Sequence, residues 1–104
     1  TVVAITGKVD LVTDGNTTYR VHNGHELMGM VTGTGCAATA TIGAFCAVCN
    51  DALTATVSAL AYFGLAGEVA AGKTNLPGSY AVALIDALNQ VTPEMLSENM
   101  KIEV

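Results

Sequence analysis

Val31-Thr32-Gly33-Thr34-Gly35-Cys36-Ala37-Ala38-Thr39-Ala40-Thr41-Ile42 is a glycine-rich turn running straight into an alanine-rich segment, and its reading decides the fold. Glycines at such a turn let the backbone bend sharply and let a ligand approach with no Cβ in the way. The first amides of a helix have no partner inside it. A turn that opens into a helix is therefore an anion cradle, suited to a phosphate or a developing oxyanion. Cys36 sits where the helix dipole is most positive, a position that favours thiolate over thiol. On the hexapeptide alone, a plain connection carrying an inert cysteine is an equally good reading.

The segments on either side supply context. Thr1-Val2-Val3-Ala4-Ile5 is apolar and β-branched and ends at Thr6-Gly7, the pattern of a strand buried on both faces with a ligand edge at its carboxyl end. Val9 to Thr13 and Thr18 to His22 flank Asp14-Gly15-Asn16-Thr17 as a hairpin, and Asn23-Gly24 breaks its second strand. The spacing predicts a helix from Thr34 to Val48 and a second from Ala52 to Lys73, with Asn50 or Asp51 as its N-cap and Leu53, Val57 and Leu60 as its stripe. From Ala59 to Gly67 that helix is apolar all round, so it should be covered on more than one side, partly by segments outside this chain or by another subunit. Pro77-Gly78-Ser79 precedes a third helix from Ser79 to Gln90. Thr92-Pro93-Glu94 opens a short fourth one, and Lys101 to Val104 reads as a terminal strand.

A length of 104 residues suffices for one domain and is small for a complete nucleotide-dependent enzyme. Charged residues are 12% of the chain, against roughly 25% in an ordinary soluble domain, while hydrophobic ones reach 51%. So few charges imply faces buried against missing segments or other subunits. The net charge of −5 and the lack of a basic patch argue against nucleic acid. The charge-free interval from Glu26 to Asp51 is broken by glycines, and Ala52 to Gly67 falls short of the roughly 20 apolar residues of a membrane span. With no signal-peptide pattern and an odd count of three cysteines, the expectation is a cytoplasmic protein with reduced thiols and no membrane partner.

The succession Val3-Ala4-Ile5-Thr6-Gly7-x-Val9-Asp10-x-Val12-Thr13-Asp14-Gly15, then Asn23-Gly24-His25, then Leu27-Met28-Gly29-x-Val31-Thr32-Gly33-Thr34-Gly35-Cys36 closely resembles the hydroxyethylthiazole kinases. Pro77-Gly78-Ser79-Tyr80, Leu84-x-Asp86-Ala87-Leu88 and Thr92-Pro93-Glu94 continue the match. The resemblance implies that residues 1–104 are the C-terminal portion of a ribokinase-like kinase domain, a three-layer α/β/α fold whose N-terminal portion lies outside this sequence. It implies ATP-dependent phosphorylation, with Mg²⁺, of the hydroxyl of 4-methyl-5-(2-hydroxyethyl)thiazole in thiamine biosynthesis or salvage, by a homotrimer with active sites between subunits. By position, Thr6 resembles the family's ATP-contacting residue and Gly33 its thiazole-contacting residue. The amides of Gly33, Thr34, Gly35 and Cys36 would form the anion hole. Cys36 occupies the slot where many ribokinase-like kinases carry an aspartate that accepts the alcohol proton, so it is the catalytic candidate, as base or as a shaper of the pocket. The family's acidic residues associated with the metal fall in the absent portion, and no metal ligand is assigned here.

Other residues invite other chemistry. Cys46-x-x-Cys49, with His22 and His25 recruited, has the donors of a zinc site, but the pair lies late in an apolar helix and lacks the usual partner motif. Small thiols packing there is the better reading. Glu68 is the one charged residue between Asp51 and Lys73 and must find a partner, so a structural ion pair or an interface rim fits it better than catalysis. Met28 fits a core position, and His25 a solvated loop. A cysteine-nucleophile hydrolase would need a base and an orienter that only His22 and His25 offer. The rival to the kinase is a non-catalytic nucleotide-binding or assembly fragment.

Overall fold

The computed structural model describes residues 1–104. Strands β1 (Val3–Ile5), β2 (Asp10–Thr13), β3 (Thr18–Val21) and β4 (Ile102–Glu103) form one antiparallel sheet in that spatial order. Between β3 and β4 come a 3₁₀ turn (Glu26–Met30) and helices α1 (Thr34–Val48), α2 (Ala52–Ala71), α3 (Pro77–Gln90) and α4 (Pro93–Asn99). The β2–β3 hairpin forms because its loop satisfies itself. Asp14 Oδ1 accepts from the amides of Asn16 and Thr17, each at 2.9 Å, and Gly15 takes the left-handed φ of 97° that the turn requires. Those two amides hold the Asp14 carboxyl below its ordinary range.

Period-two alternation puts Val12 and Val21 on the inner face of the sheet, both fully buried, and α2 packs across them. The same helix packs on α1 and α3, so it is the centre of the core. Every residue from Ala59 to Gly67 is buried except half-buried Tyr62. This corrects the expected source of that cover: the sheet, α1 and α3 of this chain supply it. The helix ends at Ala71, two residues short of the expected Lys73. Its 20 residues are long and apolar enough to cross a membrane by length and composition, and here they form the core helix. Tyr80 is fully buried, with its hydroxyl donating to the Gly67 carbonyl at 2.9 Å, which ties α3 to α2.

Three further expectations need correction. β1 is exposed along its length, not buried on both faces, because α2 packs across β2 and β3 and leaves this edge strand's faces uncovered. α3 begins at Pro77 rather than Ser79: proline's missing N–H costs nothing in a first turn, so Pro77 starts the helix it seemed to interrupt. Asp51 is the N-cap residue of α2, yet its carboxylate accepts from the Thr54 hydroxyl and not from a backbone amide. The Thr92 cap forms as the sequence indicates, its Oγ1 accepting from Met95 N at 3.1 Å. Helices lie on one face of the sheet, and on the other Val3, Ile5 and Leu11 are exposed. α1 buries Ala38 alone, its remaining residues being exposed or half-buried.

Candidate functional site

A cleft of about 800 Å³ opens between the end of β1, the segment after β3 and the start of α1. Thr6, Gly7 and Asp10 line one side, Asn23 to Glu26 with Met28 and Gly29 another, and Thr34, Gly35 and Ala38 a third. Leu60, Phe63 and Gly64 of α2 form part of the lining.

Gly33 is the N-cap residue of α1 at φ 88° and ψ 6°, a left-handed conformation that disfavours any side chain. No side chain caps this helix. The Thr34 hydroxyl points backward and donates to the carbonyls of Met28 at 3.0 Å and Val31 at 3.4 Å. Gly33 O already accepts from Ala37 N at 2.9 Å. The first-turn amides are thus left without a side-chain partner, and the helix dipole adds positive potential at the same place. A Cβ on Gly35 would meet nothing within 4 Å, so packing does not demand glycine there.

The structure brings Thr6 into one cleft with Thr34 and Gly35, joining the strand end to the cradle. Gly33 and Cys36 lie on the same helix start but outside the cleft lining, and Cys36 is exposed. The turn that presents Thr6 is held by Asp10, whose Oδ1 accepts from Gly7 N at 3.0 Å. Half-burial raises the Asp10 carboxyl above its ordinary value, and the Gly7 hydrogen bond offsets part of that rise.

The wall from Asn23 to Met28 is more constructed than its sequence suggested. Gly24 turns at φ 138°. His25 caps the 3₁₀ turn, with Nδ1 accepting from Leu27 N at 3.1 Å; that bond leaves the neutral ring's proton on Nε2. Met28 both lines the cleft and packs on the core, its Sδ lying where a Cβ on Gly67 would fall. Glu68 pairs with Lys101, not Lys73, and also accepts from Asn23 and Gly24. Lys73 instead donates to Gln90 Oε1 at 2.6 Å. His22 pairs with Glu103 at 3.2 Å, and Cys46 and Cys49, near the far end of α1, are joined by neither histidine. Asp10 and Asn23 are the site features that sequence reasoning missed, whereas Glu68, singled out as needing a partner, forms its ion pair with Lys101.

Fold and cleft define an α/β domain in which the uncapped start of a helix lies beside a cleft, a geometry suited to an anion. Comparison with known proteins takes this further: the sequence profile of the hydroxyethylthiazole kinase family matches residues 1–94, and the chain belongs to that family. It is 53% identical over 103 residues to the hydroxyethylthiazole kinase of Desulfotalea psychrophila, covering 99% of this chain and 38% of that protein. It is also 53% identical over 104 residues to that of Pyrococcus furiosus, covering 100% and 39%. The solved structure of the hydroxyethylthiazole kinase protein from Pyrococcus horikoshii OT3 superposes with a TM-score of 0.94 at 48% identity, over 99% of this chain and 40% of that one. The chain therefore spans about two-fifths of the length of the curated relatives it matches, and its fold is that of the C-terminal part of such a kinase.

Proposed function

We propose that this chain is the anion-binding part of an ATP-dependent kinase that phosphorylates the hydroxyl of 4-methyl-5-(2-hydroxyethyl)thiazole for thiamine biosynthesis or salvage. The observation that carries this is the uncapped start of α1, whose first-turn amides are free beside a cleft that Thr6 shares. Phosphoryl transfer asks a protein chiefly for positioning and for donors already aimed at developing charge. In this reading the amides from Gly33 to Cys36 hold the transferring phosphoryl group, Thr6 contacts ATP and Gly33 contacts the thiazole. Cys36 takes the alcohol proton as the new O–P bond forms and ADP leaves.

Mg²⁺ supplies charge neutralisation across the phosphates in such a reaction. The residues of this chain do not fit a site for it. Asp10 is committed to Gly7, and although His22, His25 and Glu26 also line the cleft, no three acids, histidines or cysteines stand close enough together to hold a metal ion. The metal's protein ligands are therefore assigned to the remainder of the protein. A homotrimer with sites between subunits and a cytoplasmic location complete the reading, supported by the exposed apolar length of α1 and by three unpaired thiols. Transfer of phosphate from ATP to the thiazole alcohol by the intact protein, followed by product mass, is the direct test. Nucleotide binding with no transfer would favour the rival reading of a non-catalytic fragment, which draws on the chain's share of its relatives' length.

A further inference from the structure

We propose that Glu68 is the positioning residue of this cleft: from the core helix its carboxylate fixes the Asn23–Met28 wall, and through that wall the start of α1. The kinetic part of the argument rests on the kinase reading above; the structural part does not.

A carboxylate here is costly unless it has directed partners. The Glu68 side chain is 23% exposed, on a helix with no other charge. An apolar residue of similar size would pack at least as well, because removing a carboxylate from water carries a penalty that pairing only partly returns. What leucine cannot do is hold a loop in one geometry. Glu68 Oε2 accepts from Asn23 Nδ2 at 2.7 Å and from Gly24 N at 3.2 Å, while Oε1 takes the Lys101 ammonium.

Asn23 is 5% exposed and fully used. Its second amide hydrogen goes to Asn99 O at 3.0 Å, and its oxygen accepts from Lys101 N at 2.8 Å. One orientation of the amide satisfies all of these at once. Two glycines of α2 let this wall sit directly on the helix. A Cβ at Gly64 would lie 2.5 Å from the Asn23 carbonyl oxygen, and one at Gly67 would collide with Met28 Sδ. The position is then handed to the cradle, because Met28 O receives the Thr34 hydroxyl at 3.0 Å. Glu68 thus touches no reacting atom and acts through Asn23, Gly24 and Met28. The Lys101 side chain is more than half exposed, and its pair adds little to this geometry.

The test uses the intact protein and two readouts. Glu68→Leu removes both acceptors and leaves a helix-compatible apolar side chain. It is expected to lower kcat/KM for the thiazole alcohol by about tenfold or more, since a displacement of about 1 Å can cost roughly a hundredfold. It should also speed hydrogen exchange at the Gly24, Leu27 and Met28 amides while α3 exchanges as before. Glu68→Gln, which keeps one carbonyl acceptor, should fall between Leu and the parent in both readouts, and Lys101→Met should stay within about twofold of the parent. A purely structural Glu68 would change the melting temperature while kcat/KM per folded molecule and loop exchange stayed parental, and that result overturns the proposal. If Glu68→Leu does not fold, Glu68→Gln decides: parental exchange and parental kinetics reject the proposal. If the parent itself transfers no phosphate, the kinase reading fails and Glu68 is judged on the exchange readout alone.

Discussion

Cys36 stands exposed on the first turn of α1, where the dipole and the free amides converge. If it accepts the alcohol proton, Cys36→Ser in the intact protein should cut kcat by about 10²–10⁴ with KM for ATP nearly unchanged, the usual loss for one general base. Cys36→Asp should retain or raise turnover. Parental kcat in Cys36→Ser across neutral pH would leave catalysis to the cradle alone. Asp10 is a separate case, since half-burial raises its carboxyl above the ordinary 3.8. An acid shifted this way favours the fold when protonated. Its contribution is fully present below the ordinary value and is lost as pH rises through the raised one. Asp10→Asn keeps an acceptor for Gly7 N and should melt a few degrees higher at neutral pH at most, with the gain fading below pH 3.8. A gain of equal size in acid would exclude ionisation as its cause. Asp14 carries the opposite sign: its lowered carboxyl supports the hairpin above pH 3.8, and that support is lost as pH falls through its folded value.

The two glycines of the α1 start should respond to alanine in opposite ways. Gly33 sits at φ 88°, so Gly33→Ala should destabilise by about 1–2 kcal/mol through backbone strain, although nothing lies within 4 Å of the new Cβ. Gly35 is helical and unobstructed, and alanine there should stabilise the fold by up to about 1 kcal/mol. Because Gly35 lines the cleft, the same Cβ should weaken ATP binding. Thermal melts paired with nucleotide titration separate the two effects. If Gly35→Ala stabilised the protein and bound ATP as tightly as the parent, the anion would have to sit elsewhere. The boundaries of α1 could be read from sequence because glycine turn, alanine run and β-preferring residues are local signals. The 3₁₀ turn could not, since Met28 seats it on Gly67, a residue far away in sequence.

Across the molecule, apolar surface remains in several places, among them Leu76, Val82 and Ile85 on and just before α3. Val3, Ile5 and Leu11 are exposed on the outer sheet face, and α1 shows Ala37, Ala40, Ala44, Ala47 and Val48. On the trimer reading, light scattering of the intact protein should give three times the protomer mass. A monomer at high concentration would remove the shared-site arrangement. The outer sheet face is where a third layer would rest, and exchange should be slow at β1 in the intact protein if that layer is present.

The sequence by itself determined the hairpin at Asp14-Gly15, the start of α1 at Gly33-Thr34, the Thr92 cap and the family, because each rests on residues within a few positions of one another or on their order. Only the tertiary structure decided which chain segments cover α2, that β1 is exposed, and that Glu68 reaches back to Asn23 and Gly24. Those depend on which surfaces meet. An acid 45 positions from its partner leaves no local periodicity to read, and a strand's burial depends on neighbours its own side chains do not specify.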